Sequence, residues 1–355
     1  MSAPPLRRQR VGRFVLEAGR VLEDVEQAYT LTGELNATRD NLVVIFHSLT
    51  GDARPQRWWG EVVGPGKAID TDRYAVLSPN LLGSCYGTTR PPEDVPVTPR
   101  DMARLVRQLV DHVGADSVAL ATGGSLGGMV TLEWAASFPS LTRAGVVFAA
   151  PAAHTAQAIG FNHIQRRAVE LAGEEGLALA RMAAMLTYRT PVELARRFGR
   201  ERRDDGLFQV RSYLEHQGTK FRHRFDTRAY RTLLDAMDAH DVGRGRGGIA
   251  AALRPFEGEL VGVGITGDLL YEPQEVRRWT RAAGGRYVEI SSVHGHDSFL
   301  LEGAQVEPIL RAALEPADRS ADLARRPERE PGRPRRPVPT PGGDSDGTDA
   351  IDALG

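Results

Sequence analysis

Apolar positions in this chain fall into two alternating patterns, short unbroken runs and stripes at helical spacing. Asn41 to Phe46 (NLVVIF) is an unbroken run, the pattern of a strand covered on both faces. Tyr74 to Leu77 repeats it before the turn residues Ser78, Pro79 and Asn80, and upstream residues 13 to 31 read as two short strands about Gly19. Pro99 and Asp101 open a helix whose apolar residues Met102, Leu105, Val106, Leu109 and Val110 share one face. Ser117 to Ala121 predicts the next strand, residues 126 to 137 the next helix and Gly145 to Ala149 a further strand. Such alternation with short connections predicts an α/β fold, a mostly parallel, doubly wound sheet with helices on both faces.

The rhythm breaks after residues 1–153. Across 154–250 the strand signal vanishes and helical segments succeed one another, among them Gly176 to Leu186 and Tyr230 to Ala239. Residues 251–315 restore strands at Leu260 to Ile265 and Arg286 to Ile290 and close with a helix from Val306 to Leu314. The expectation is therefore an all-helical insert, 154–250, interrupting an α/β core. Residues 316–355 hold seven of the chain's 22 prolines, with seven arginines, eight acids and almost no large apolar side chains. That segment cannot bury enough surface to offset its ordering entropy and is predicted to be a disordered tail. Its arginines, Arg325, Arg326, Arg333, Arg335 and Arg336, are interleaved with acids that oppose a docking role.

Charge and composition narrow the function. A net charge of −1 over 355 residues gives no global basic field for nucleic acid or an anionic membrane. The single cysteine, Cys85, makes no internal disulfide, and neither a signal sequence nor a membrane-length apolar run is present, which points to a cytoplasmic setting. Lys67 and Lys220 are the only lysines.

The chemistry concentrates at Gly123-Gly124-Ser125-Leu126-Gly127, between an apolar strand and a helical run. There the chain must turn sharply from strand to helix, and small neighbours let a nucleophilic serine sit in a strained conformation at the sheet's carboxyl edge. A phosphate cradle is the alternative, but the G-x-G-x-x-G pattern and the Walker lysine are both missing. A serine needs a base and an orienting acid, in the order Ser, Asp, His. Asp268 follows the strand Leu260 to Ile265, and His296 follows the last strand in His294-Gly295-His296-Asp297. His294 competes with His296 and is assigned to loop support; the His-x-His pair has no third metal ligand at suitable spacing. The oxyanion donors are assigned to the backbone N–H groups of Leu126, after the nucleophile, and Leu49, in the loop after the strand Asn41 to Phe46. His47 reads as structural in that loop.

At this level of detail the sequence resembles the homoserine O-acyltransferases of methionine biosynthesis, a branch of the α/β-hydrolase fold. The similarity rests on His47 to Asp52 (HSLTGD), Trp58-Trp59, Gly64 to Tyr74, Asn80 to Thr88 (NLLGSCYGT), Gly124 to Met129, Gly160 to Asn162, Gly176 to Arg181, Thr187 to Arg189, Ser212 to Gly218 (SYLEHQG), His240 to Gly248 and Gly295 to Leu300 (GHDSFL). The resemblance implies a homodimer with a helical lid, acyl transfer from acyl-CoA to L-homoserine through an acyl-enzyme on Ser125, and no cofactor beyond the acyl-CoA co-substrate. It also implies that Arg181, Tyr188 and Asp297 bind the substrate, a zwitterion whose two charges need partners in a buried site.

Acetyl is the expected acyl group. Succinyl transfer, a serine acceptor, carboxylester hydrolysis and a catalytically silent binding module are the alternatives. Against the family pattern Gly267, Ser298 and Leu126 are substituted, and residues 89–98 and 168–176 are shorter. Gly243 to Gly247 reads as an exposed glycine-arginine loop, with contact to CoA phosphates through Arg244 and Arg246 as its functional alternative. Cys85 is read as a small packing residue.

Overall fold

The computed structural model describes residues 4–315, so the predicted tail lies outside the described residues. The strands β1 (Arg7–Val15) and β2 (Val21–Thr32) form an antiparallel pair. β1 begins earlier than the apolar pattern predicts because its first residues, Arg7 to Arg10, are polar. They lie on the edge of the sheet, where charge also discourages pairing with other chains. There follow β3 (Leu42–Phe46), α1 (Pro55–Trp58), the two-residue strands β4 (Val63–Gly64) and β5 (Ile69–Asp70), β6 (Ala75–Pro79), α2 (Pro99–Val113), β7 (Val118–Gly124), α3 (Leu126–Ser137) and β8 (Ala144–Phe148). Five helices then intervene: α4 (Ala156–Tyr188), α5 (Pro191–Phe198), α6 (Gln209–Arg222), α7 (Thr227–Asp238) and α8 (Ile249–Leu253). The chain re-enters the sheet with β9 (Glu259–Ile265), α9 (Pro273–Ala283) and β10 (Arg286–Ile290) and ends with α10 (Ser298–Leu301) and α11 (Gly303–Leu314).

The main sheet has the order β1-β2-β6-β3-β7-β8-β9-β10. β2 runs antiparallel to both its neighbours, and every other pairing is parallel. From β3 the chain steps first to β6 on one side and then to β7 on the other, so the strand order reverses there. Loops leaving the carboxyl ends of β3 and β7 diverge at such a point and open a crevice above the sheet.

The apolar run in β3 is explained by its two faces. Leu42, Val44 and Phe46 join the core beneath α2, α3 and α9, while Val43 and Ile45 join the core beneath α11. All five are fully buried, each contributing roughly 1.5–3 kcal/mol relative to exposure. α3 is buried on nearly its whole circumference, as expected of a helix apolar all round. α2 carries a complete capping box, Thr98 accepting from Asp101 N–H while the Asp101 carboxylate accepts from Thr98 N–H.

Within α4 the shortened stretch 168–176 leaves no loop. Two helices meet at a kink at Gly173, where φ is 56° and ψ −122°. The loop Gly243 to Gly247 is largely exposed, as the sequence predicts, but it differs from its functional alternative, since its arginines are paired with acids of the protein itself. Arg246 Nη1 lies 2.6 Å from Glu133 Oε2 and Arg244 Nη2 2.9 Å from Glu17 Oε2, and Arg100 reaches both acids at 2.6 and 3.0 Å. Burial alone would raise the Glu17 pKa, but hydrogen bonds from Arg244 and Thr98 and the charge of Arg100 outweigh it and lower it. This network ties the segment before α8 to α2 and α3.

Glu133 is only 1% exposed and faces two guanidinium groups. Glu133→Ala is expected to cost about 3 kcal/mol, read as a lower urea midpoint, because both cations lose a buried partner. Removing the exposed Arg8–Glu26 pair by Arg8→Ala should cost less than about 1 kcal/mol in the same measurement.

Candidate active site

Ser125 stands between β7 and α3 with φ 58° and ψ −125°, a conformation that costs a non-glycine residue roughly 1–3 kcal/mol. Its surroundings impose it. A Cβ at Gly127 would overlap the carbonyl oxygen of Phe46, and one at Gly124 would lie 2.6 Å from Phe299 Cζ, so only glycine lets strand and helix approach this closely. Ser125 N–H donates to Phe148 O at 3.0 Å, tying the turn to β8.

Asp268 follows β9 and His296 follows β10, on the same carboxyl edge as Ser125. His296 Nδ1 and Asp268 Oδ2 are 2.8 Å apart, and both residues are 3% exposed. Asp268 Oδ1 accepts from the N–H groups of Leu270 at 2.8 Å and Tyr271 at 3.0 Å, so the carboxylate is held by three donors. Rings of Tyr188, Tyr271 and Phe299 surround the imidazole at centroid distances of 5.5, 5.4 and 6.0 Å. Burial in this cage would lower the His296 pKa, but the charge and hydrogen bond of Asp268 prevail and raise it. His296 Nε2 is buried without a protein partner and shares a cavity with Ser125.

That cavity, about 500 Å³, is lined also by Leu49, Arg181, Tyr188, Asp297, Lys220 and Arg224. Leu126 is not among its lining residues, but as the first residue of α3 its N–H has no carbonyl one turn earlier to bond. Leu49 sits in the turn after β3, whose shape His47 sets. Fully buried, His47 donates from Nδ1 to Ser48 O at 2.7 Å and accepts Leu81 N–H on Nε2 at 3.0 Å. Burial lowers its pKa to about 4, so it stays neutral and holds that tautomer. Arg181 makes no ion pair among the described residues; its guanidinium lies 5.7 Å from the Tyr188 ring centre and 5.3 Å from that of Phe221. Loss of hydration pushes the Tyr188 phenol up to about 12, which keeps its proton in place as a donor.

Asp297 reaches the cavity but already holds Arg189, with Oδ2 and Nη2 3.0 Å apart. Sequence reasoning assigned no role to Arg189. His294 turns away from His296 toward Glu193, with Nδ1 3.3 Å from Oε1. Ser298, fully buried, spends its hydroxyl on Gly295 O at 2.6 Å, which firms the turn carrying His296. A second unassigned set supports the acid's turn: Tyr271 OH meets His154 Nε2 at 3.0 Å, and His154 Nδ1 meets Asp238 Oδ1 at 3.1 Å. In the sequence Tyr271 stands three residues after Asp268, which is the one signal that places it beside the acid.

A family model described as the alpha/beta hydrolase fold matches residues 41–182. The chain is 41% identical over 343 residues to a homoserine O-acetyltransferase of Thermus thermophilus, covering 85% of this chain and 89% of that one. The solved structure of a homoserine O-acetyltransferase from Staphylococcus aureus superposes with a TM-score of 0.78 at 30% identity, covering 90% of this chain and 99% of that chain. The structure of esterase E22 superposes with a TM-score of 0.80 at 18% identity, covering 88% and 100%, a likeness of fold.

The raised pKa of His296 fixes the sign of the pH dependence, since only the neutral imidazole can accept the serine proton. Hydrolysis of p-nitrophenyl acetate should lose kcat/KM as pH falls through an inflection above 6.5. Asp268→Asn should move that inflection to lower pH and reduce the rate by about 10⁴-fold.

Proposed function

The chain belongs to the homoserine O-acetyltransferase family, and on that premise we propose that it transfers an acetyl group from acetyl-CoA to the side-chain hydroxyl of L-homoserine, a step of methionine biosynthesis. The observation that carries this reading is one cavity joining Ser125 and His296 to a cation, Arg181, and an anion, Asp297. A zwitterionic acceptor calls for both charges.

In the proposed mechanism Asp268 holds the His296 tautomer and His296 Nε2 takes the Ser125 proton. Ser125 Oγ attacks the thioester carbonyl, and the oxyanion is met by the N–H groups of Leu49 and Leu126. The carbon–sulfur bond breaks, and CoA leaves as a thiol with the proton from His296. Homoserine then binds with its carboxylate toward Arg181 and Tyr188 and its ammonium toward Asp297. His296 takes the acceptor's hydroxyl proton, the oxygen attacks acetyl-Ser125, and the proton returns to Ser125 as the ester leaves. Holding the acceptor beside the acyl group is worth an effective molarity of up to ~10⁵–10⁸ M, which is how transfer outruns water.

The insert 154–250 acts here as the lid that supplies Arg181 and Tyr188. Arg57, Lys220 and Arg224 also line the cavity, and cations there suit the phosphates of a CoA thioester too large to be enclosed. We place the enzyme in the cytoplasm, where a lone thiol such as Cys85 stays reduced. We also propose a homodimer. Exposed Ile159, Ile164, Leu179 and Leu186 on α4, beside an apolar groove formed by Phe161, Ile164, Leu186 and Leu269, support a second copy as the covering partner.

Incubation with acetyl-CoA alone should release no more than about one thiol per active site, sustained thiol release and O-acetylhomoserine should appear only when L-homoserine is present, and Ser125→Ala should abolish both. Sustained thiol release independent of acceptor, with no such product, would overturn the reading in favour of a hydrolase. Crossing acetyl-CoA and succinyl-CoA with L-homoserine and L-serine should give the highest kcat/KM for the first of each pair. Light scattering of the purified protein should report a dimer mass, and Ile164→Asp should shift it to the monomer.

A further inference from the structure

Behind Asp297 lies a chain of charges that the reaction itself does not use. Arg189 Nη2 lies 3.0 Å from Asp297 Oδ2, and Arg189 Nη1 lies 3.1 and 3.3 Å from the two carboxylate oxygens of Glu193. The side chains of Asp297, Arg189 and Glu193 are 19, 13 and 9% exposed, so water screens them weakly. Asp297 lines the cavity, and the other two do not.

A guanidinium paired with Asp297 alone would cancel its charge, and an incoming ammonium would meet a neutral couple. Glu193 changes that sum. Two carboxylates share one guanidinium, and while the imidazole of His294, 3.3 Å from Glu193, is uncharged the cluster keeps one net negative charge to match one ammonium. We propose that Glu193 is a specificity-determining positioning residue: by sharing Arg189 with Asp297, it preserves the negative charge that selects acceptors bearing an α-ammonium group. It acts through Arg189 and does not touch the acceptor. The inference rests on the proposed role of Asp297 as the ammonium's partner.

A purely mechanical role is the competing explanation, because the same segment is strapped to the loop carrying His296. Thr190 Oγ1 accepts Glu193 N–H at 3.0 Å and donates to Val293 O at 2.5 Å, and His294 approaches Glu193. The two explanations separate because one depends on the sum of charges and the other on the contacts.

The test compares wild type, Glu193→Gln, Arg189→Gln and the double variant at one pH, measuring KM for L-homoserine at saturating acetyl-CoA. The burst of p-nitrophenol from p-nitrophenyl acetate reports acyl-enzyme formation separately. Glu193→Gln should raise KM for homoserine about tenfold while changing the burst rate less than about twofold, since acyl-enzyme formation from this ester involves no ammonium. The double variant leaves Asp297 alone with the same net charge as wild type, and its KM should return to within about threefold of wild type. Arg189→Gln, with one more negative charge, should not raise KM. Transfer to 4-hydroxybutanoate, which lacks the ammonium, should show no penalty in Glu193→Gln.

A double variant as poor as Glu193→Gln, or an equal penalty with 4-hydroxybutanoate, would overturn the charge-sharing role. Should Glu193→Gln fail to fold, Arg189→Gln and the double variant still decide, because the mechanical explanation predicts that both lose affinity. A wild type that forms the acyl-enzyme but transfers nothing to homoserine would instead remove the functional reading beneath the inference.

Discussion

Everything in this molecule that bears on chemistry is arranged around a serine held at a positive φ. A backbone strained by roughly 1–3 kcal/mol relaxes unless its surroundings leave it no other conformation. Here the constraint is steric: β7 and α3 approach the end of β3 so closely that Gly127 has no room for a Cβ against Phe46 O, and Gly124 has none against Phe299. Phe299 is also one of the rings around His296, and its carbonyl accepts Trp59 Nε1–H at 2.7 Å. The same packing that forces the serine out of the sheet therefore also fixes one wall of the base's cage.

The second layer of organisation is electrostatic. Asp268 gives one oxygen to His296 and the other to two backbone N–H groups, so its charge is satisfied without any competing side chain. His47, buried and neutral, shapes the turn that presents Leu49, and its fixed tautomer needs no counter-ion. Charged groups are instead gathered where α4 gives way to α5, as Arg189 and, in the first turn of α5, Glu193 meet Asp297. On the proposed reading the sheet edge thus carries a nearly self-contained proton relay, and the helical insert carries formal charge toward it.

Much of this was legible in the chain because it is local. The unbroken apolar run of β3, the glycines around Ser125 and the position of Asp268 and His296 just past strands each depend on a few consecutive residues. The strand-and-helix pattern does not mark α9, although Pro273, Val276, Trp279 and Thr280 carry a helix's start and buried face; a short segment between two strand signals reads as a connection. β1 reads short in the sequence because an edge strand needs no apolar face at Arg7 to Arg10. The Arg189–Glu193–Asp297 cluster could not be read at all, since Arg189 and Asp297 are adjacent only after the insert folds back onto the sheet. The loop of Arg244 and Arg246 reads correctly as exposed, but for the same reason only the fold reveals their partners Glu17 and Glu133.

Esterase E22 shares this fold at 18% identity, so the architecture alone does not choose between water and an amino-acid alcohol as acceptor. On the proposed reading that choice is made by residues with a different origin from the relay. Ser125, Asp268 and His296 come from turns after sheet strands, whereas Arg181 and Tyr188 belong to α4, Arg189 follows it and Glu193 lies in α5. Ions held at a cavity wall recognise an acceptor only if their own partners leave a residual charge of the right sign, because burying an uncompensated ion costs more than the contact returns. A helical insert can satisfy that condition by carrying pairs and triads of charges as a unit, without disturbing the strand ends that perform the acyl chemistry. On that reading acceptor preference is open to substitution around Arg189 and Glu193, away from the strand ends, whereas Tyr188, whose ring packs 5.5 Å from that of His296, serves both the acceptor and the base.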